Sequence, residues 1–347
     1  MTRLKLFVDE WPLVDQRMWA AFLVTGNPLD GPGAFSHLRA STIREREVGY
    51  GRWLAWLTEA DPSALEEPSI ERATAGRVTA WMGSLATLAP YTRVMRLNTL
   101  ISVIGAADPA AELSVLKRIR QVHHAKALGN HGQRKVGRIL SSDVLLQAGL
   151  DYAGSYADAA KSAFERARRL RDGTLLAFLS LLPIRRRSLL GLELGQSVLV
   201  TSAGIKIDLS EAMMKSGVAW EAMVPEPVES LLRRYLSDAR PFLINRATTP
   251  HDQLWVTDTG RPFSYSYLGR RIPELTEFMT GIRVPPHFFR DAAATTLARE
   301  SPEAARLIGP LLAHSSFRSA ERHYNHARCI EAGAHYGDVV EALRKAN

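Results

Sequence analysis

The sequence predicts a mainly α fold with a small antiparallel β-sheet, divided between two domains. Three observations lead there. The chain has 347 residues, more than a single domain of roughly 100 to 200 residues usually holds. Apolar residues recur at helical spacing over most of its length. One short region, between residues 197 and 224, is instead rich in β-branched residues and interrupted by turn residues. A hydrophobic fraction of 46% and a charged fraction of 23% supply enough apolar material for packed cores and exclude a wholly disordered chain.

In the first part of the chain the helical period runs through Trp11 to Leu23, Ile43 to Leu57, Ile70 to Leu85 and Tyr91 to Ile104, with no strand alternation. Residues 1 to about 125 therefore read as an all-helical domain. Its tryptophans, Trp53 and Trp56 among them, are read as core rather than as platforms for stacked bases. From Leu113 to Ser142 there is no acidic residue, while Lys117, Arg118, Arg120, Lys126, Arg134, Lys135 and Arg138 all fall inside, beside His123, His124 and His131. The middle of this stretch, Gly129-Asn130-His131-Gly132-Gln133, carries turn residues and breaks the apolar period. Residues 126 to 140 thus read as a basic linker, suited to lie along phosphates unless it is only a solvated loop.

Residues 141 to 347 form the second domain. Helical stretches are expected at Ser142 to Tyr152 and Tyr156 to Leu181. Ser197 to Thr201 and Ile205 to Leu209, separated by Ser202-Ala203-Gly204, read as a hairpin, with a third short strand at Val218 to Val224. The helical period then returns in Val228 to Leu236, Tyr267 to Phe278, Phe288 to Ala298, Pro302 to Leu312 and Glu331 to Leu343.

Composition excludes several classes. Cys329 is the one cysteine, so no intrachain disulfide forms, Cys-rich zinc arrangements drop out, and a reducing compartment fits. The N-terminus has no apolar h-region, and no apolar run approaches the roughly 18 residues of a membrane span. A soluble, cytoplasmic protein with no membrane partner is expected. The formal charge of +8 favours a polyanion. No G-x-x-x-x-G-K-[ST] loop, no strand-borne G-x-G-x-x-G and no H-E-x-x-H is present. ATP hydrolysis and dinucleotide binding are disfavoured, and His314, His323, His326 and His335 make a poor case for a metal. No cofactor is expected.

A set of cationic and aromatic residues in the second domain remains, and its order is informative. Leu182-Pro183-Ile184-Arg185-Arg186-Arg187-Ser188-Leu189-Leu190-Gly191-Leu192 resembles the first arginine motif, G-L-R-x-x-E-L-L-x-L, of the tyrosine recombinase (phage integrase) family. Aligning Arg185 with that arginine places Leu189, Leu190 and Leu192 on the family's leucines; Ser188 stands where the family usually has an acid. Pro286-His287-Phe288-Phe289-Arg290 is similar to the H-x-x-R box, in which positions i and i+3 of a helix share a face. Leu311-Leu312-Ala313-His314-Ser315-Ser316 resembles L-G-H-x-S. Ser319-Ala320-Glu321-Arg322-His323-Tyr324 resembles the segment ending in the nucleophile. Lys215-Ser216-Gly217 ahead of Met223-Val224-Pro225 looks like the family's lysine loop, with Lys206 as the competitor. Tyr324 lies ten residues after His314 where many members have nine; an unbroken helix would hold them about 15 Å apart, so the chain must turn between them, and Ser315-Ser316 offers hydroxyls that compete with the helix. His323 and Tyr336 are the fallback nucleophiles.

The resemblance implies an N-terminal helical core-binding (SAM-like) domain followed by an α+β catalytic domain. It implies site-specific DNA recombination through a 3′-phosphotyrosyl intermediate, serving integration, excision or resolution of DNA elements. Tyr324 would attack, Arg185 and Arg290 would bind the non-bridging oxygens, His287 would take the phenolic proton, His314 would hydrogen-bond the phosphate, and Lys215 would protonate the leaving 5′-oxygen. It also implies a homotetramer on double-stranded DNA with inverted-repeat sites and no need for ATP or metal. An amphipathic tail carrying Ile330, Ala334, Val340 and Leu343 packs either on a neighbouring protomer or on its own domain. A type IB topoisomerase-like enzyme and a catalytically inactive DNA-binding protein of the same fold are the alternatives.

Overall fold

The computed structural model describes residues 4–26, 31–128, 137–300, 304, 306–312 and 322–346; the side chains of 298, 299, 322–332 and 334 lie outside that description. The chain divides into two compact units, Met1–Arg134 and Lys135–Asn347.

The first unit is helical. Helices α1 (Leu13–Leu23), α2 (Ala40–Ala60), α3 (Ala75–Ser84), α4 (Pro90–Ala107) and α5 (Ser114–Leu128) follow one another. In α2, Tyr50, Trp53, Leu54 and Leu57 recur at i, i+3, i+4 and i+7 and are all buried, the stripe that makes a surface helix pack. Trp11, Trp19, Trp53 and Trp81 are buried, with edge-on contacts between Trp11 and Trp19 at 5.5 Å and between Trp53 and Trp81 at 5.1 Å; Trp56 is half-buried and stacks on Trp53. A wholly buried ion pair joins Arg72 to Asp15 at 2.6 Å. Asp15 also accepts from the Tyr50 hydroxyl at 2.6 Å, and Arg72 donates to the Leu65 and Glu67 carbonyls, so the buried charges are fully hydrogen-bonded. The helix expected from Ile70 begins only at Ala75, because Thr74 caps it by accepting from the Arg77 backbone N–H. The basic stretch after Leu113 is ordered helix as far as Leu128.

The second unit is built around α8 (Ala163–Leu181), whose residues from Leu170 to Leu181 are all buried, the mark of a helix enclosed on every side. It lies against α6 (Ser142–Ala153) at close range: a Cβ at Gly149 would sit 2.5 Å from the Ala177 nitrogen, and one at Gly173 would sit 2.4 Å from the Ala153 nitrogen. Only hydrogen fits there. The helix expected over 156–181 is broken, because α7 (Ser155–Asp158) ends early and Ser162 caps α8 through the Glu165 N–H. After α9 (Arg186–Leu190), strands β1 (Val198–Thr201), β2 (Gly204–Leu209) and β3 (Trp220–Met223) form an antiparallel sheet in that order. Val198 pairs with Ile207, and Asp208 with Glu221. Helices α10 (Val228–Arg234), α11 (Arg240–Ile244), α12 (Tyr265–Thr280) and α13 (Phe288–Glu300) follow, then Ile308–Leu312 and the C-terminal helix Arg322–Ala346.

That last helix starts nine residues before the expected Glu331 and packs on its own unit, against β3, α6 and α8. Tyr336 and Val340 are fully buried there. The Tyr336 hydroxyl donates to the Ser180 carbonyl at 2.6 Å and also meets the Ser142 hydroxyl. Of the two positions open for the tail, this chain adopts the one on its own domain.

Candidate active site

Helix α8 ends at Leu181, and the buried segment Leu182-Pro183-Ile184 leads into α9 with Arg185 at its N-cap. The three consecutive arginines have different surroundings. Arg187 is exposed, and Arg186 lies over the Tyr265 ring at 4.3 Å. Arg185 is half-buried, and its solvent-inaccessible Nη1 has no hydrogen-bond partner among the described residues. Desolvation pulls its guanidinium below the ordinary arginine range.

Arg290 stands in the first turn of α13. Its guanidinium donates to the Pro183 carbonyl at 2.8 Å and to the Leu312 carbonyl. One side chain thereby ties the segment before Arg185 to the helix that leads toward His314. Burial, and after it the like charge of Arg185, pulls Arg290 down to about 10. It still carries its proton at neutral pH. Two guanidiniums forced together, one with an unsatisfied buried donor, are destabilising on their own and stabilised by a shared anion. Phosphate oxygens fit that requirement.

His287 does not lie on the α13 helix. It is in the turn before it, where its carbonyl accepts from the Arg290 N–H at 3.3 Å; the i, i+3 relation holds through that turn. Its imidazole is exposed and meets the Phe288 ring edge-on. Lys215 is exposed in the β2–β3 connection, just past the single 3-10 turn Glu211–Met213. Lys206 is held on the sheet by Glu221 and by Asp208 at 3.5 Å, which raise its pKa. An ammonium paired with two carboxylates is a poor proton donor. Tyr336 is buried, hydrogen-bonded and pushed above the ordinary phenol range by burial, so it is no nucleophile. Tyr324 is the third residue of the C-terminal helix; its side chain and that of His323 are outside the described residues, as is His314 altogether.

Of the basic residues expected to meet DNA, Lys117, Arg118, Arg120 and Lys126 are on α5, Arg134 and Lys135 lie outside the described residues, and Arg138 is already engaged in the second unit. Arg138 donates to the Arg283 carbonyl at 3.0 Å and lies over Phe288. Arg118 faces away from Arg120 around the helix. The structure adds residues that sequence reading missed. Arg52 of α2 and Arg93 and Arg96 of α4 each bury an Nε with no hydrogen-bond partner among the described residues. Arg96 is lowered by desolvation and then by Arg52. His123 is lowered by desolvation and then by Arg93 and Lys126. Arg120 reaches Asn98 at 3.4 Å. Three helices thus gather cations on one side of the first unit.

Among the described residues no three His, Cys, Asp or Glu side chains are grouped to hold a metal, and no helix is long and apolar enough to cross a membrane.

Residues 156–329 match the phage integrase family, and the chain belongs to that family. It is a DNA strand transferase of the tyrosine recombinase type. Tyrosine recombinase XerC 2 of Ralstonia nicotianae (strain ATCC BAA-1114 / GMI1000) is 27% identical over 344 residues, covering 88% of this chain and 87% of the relative. Among solved structures, the XerH site-specific recombinase bound to its difH substrate in a pre-cleavage complex is similar in fold, with a TM-score of 0.56 and 15% identity over 88% of this chain and 78% of that one.

Proposed function

We propose that this chain is a site-specific recombinase in which Tyr324 cleaves one DNA strand at a time. The phenolic oxygen forms a bond to phosphorus, the P–O5′ bond breaks, and a 3′-phosphotyrosyl link and a free 5′-hydroxyl remain. Arg185 and Arg290 neutralise the charge that builds on the non-bridging oxygens. His314 donates a hydrogen bond to the same phosphate. A phenol of pKa about 10 must lose its proton during attack, and His287 accepts it. Lys215 protonates the departing oxygen. The stored ester lets a second 5′-hydroxyl reverse the step, so neither nucleotide nor metal is needed.

The observation that supports this reading is the Arg185–Arg290 pair, two half-buried like charges, one of them with an unsatisfied buried donor, at the starts of α9 and α13. The protein works on double-stranded DNA in the cytoplasm, as a homotetramer on inverted-repeat sites. Residues 1–125 and 141–347 each bind the duplex, and the basic linker 126–140, with Arg134, Lys135 and Arg138, follows the phosphates.

The test is to express the protein and Tyr324→Phe, recover each under denaturing conditions, and sequence the attached DNA. Attachment with the parent alone, at one inverted-repeat sequence, is expected. Scattered attachment would favour a topoisomerase-like enzyme, and reversible binding without attachment an inactive binder.

A further inference from the structure

Ser188 occupies the place where the family usually carries an acid, three residues after Arg185. Its side chain is 1% exposed. The hydroxyl donates to the Met213 carbonyl at 3.0 Å and lies 3.6 Å from the Met214 sulfur. Met213 closes the 3-10 turn Glu211–Met213, and Lys215 follows two residues later. The turn's backbone bonds are local, from Met213 N–H to Ser210, from Met214 N–H to Glu211 and from Gly217 N–H to Met214. Ser188 instead joins the turn to α9. The polarity of the bond is fixed: a hydroxyl can donate to a carbonyl, whereas a carboxylate in the same place would present only lone pairs.

We propose that Ser188 is a positioning residue, which sets Lys215 relative to the arginine-bound phosphate by holding the Met213 carbonyl. This rests on Lys215 as the general acid. α9 thereby serves both partners of the cleavage step, with Arg185 at its N-cap on the phosphate and Ser188 fixing the origin of the lysine loop. Without the hydroxyl, the turn keeps its apolar packing but loses its hydrogen bond to α9, and the ammonium samples positions away from the 5′-oxygen.

Changing the leaving atom separates this role from general damage to the fold. When the 5′-bridging oxygen is replaced by sulfur, the P–S bond breaks and the thiolate, from a thiol of pKa about 8.5, departs without a proton. A general acid is then dispensable. The substrate is a nicked duplex with the sequence recovered by denaturing capture, made with oxygen or sulfur at the scissile position. On oxygen, Ser188→Ala is expected to cleave about tenfold more slowly than the parent, the effect of one lost hydrogen bond on a transition state, and Lys215→Ala more slowly still. On sulfur, both are expected to match the parent. Equal slowing of Ser188→Ala on both substrates, or none on oxygen, overturns the proposal. Lys215→Ala that sulfur does not rescue overturns the general-acid assignment itself, a separable failure. Amide hydrogen exchange of the free protein needs no substrate: over residues 211–217 it should quicken about fivefold in Ser188→Ala with α9 unchanged. Unchanged exchange in the turn sinks the proposal even if capture recovers no DNA.

Discussion

Arg290 does two things that a lysine cannot do together. Its planar fork holds the Pro183 and Leu312 carbonyls and still has N–H groups to offer the phosphate we propose it binds; an ammonium is a point charge with three donors and no fixed plane. Arg290→Lys should therefore keep DNA affinity within a few-fold, because the charge survives, and lose on the order of 100-fold or more in the rate of covalent attachment. Gel-shift titration beside timed denaturing capture checks both halves. The two tyrosines give the opposite pairing. Tyr336→Phe removes a buried hydroxyl bonded to Ser180 and Ser142 and should cost about 1 to 2 kcal/mol in urea unfolding without preventing attachment. Tyr324→Phe should abolish attachment and leave the unfolding midpoint in place. At this scale the leucine register selects Arg185 over its neighbours, and the different surroundings of the three arginines rest on burial that the same leucines create. The grip of Ser188 on Met213 was not legible, because the two residues are 25 positions apart and meet only through the fold.

Helices α2, α4 and α5 together make a surface that none of them announces alone. Arg52, Arg93 and Arg96 sit singly in otherwise apolar or mixed runs, so a count of charge along the chain finds α5 and passes over its neighbours. Only their packing brings the side chains together, and burial, followed by the charge of Arg52, lowers the pKa of Arg96 as a result. Phosphates placed against these cations would neutralise them. Arg96→Ala should therefore weaken binding to all DNA sequences alike and reduce the slope of log affinity against log salt by about 1. His123 gives a second handle on the same surface. Burial and the charges of Arg93 and Lys126 hold it below its ordinary value of 6.5 in the free protein, so it is neutral at pH 7; a bound phosphate raises it. Binding then takes up a proton, and affinity should rise as pH falls from 7 toward 5.5. Titration calorimetry in buffers of different ionisation enthalpy measures that uptake, and His123→Gln should remove it. Elsewhere, element boundaries moved where side chains cap the backbone: Thr74 delays α3, and Ser162 restarts the helix expected to run unbroken to Leu181. Periodicity locates the buried face of a helix. It is silent on where a hydroxyl captures the first free N–H.

The C-terminal helix decides how the catalytic unit holds together. Its apolar spacing, read from Ile330 to Leu343, is compatible with either a neighbour or its own domain, because a stripe of apolar residues carries no address. In this structure Val340 of that stripe is fully buried with Tyr336, Val339 is nearly so and Leu343 is half-buried, against the sheet and the helices that also support Arg185, while the side chains of Ile330 and Ala334 lie outside the described residues. Full burial of each such side chain stabilises by roughly 1.5 to 3 kcal/mol, so the three together approach the whole net stability of an ordinary domain, about 5 to 15 kcal/mol. Removing everything after Arg328 should therefore do more than disturb assembly. The catalytic unit is expected to lose its cooperative thermal transition, while the helical unit Met1–Arg134, which contributes nothing to that core, keeps one. Differential scanning calorimetry of the full chain and the truncated chain reads both transitions in a single scan. If instead the truncated protein melts like the parent and only its sedimentation on DNA changes, the tail's main role is between protomers, and the burial of Tyr336 is a resting arrangement that the assembled complex gives up.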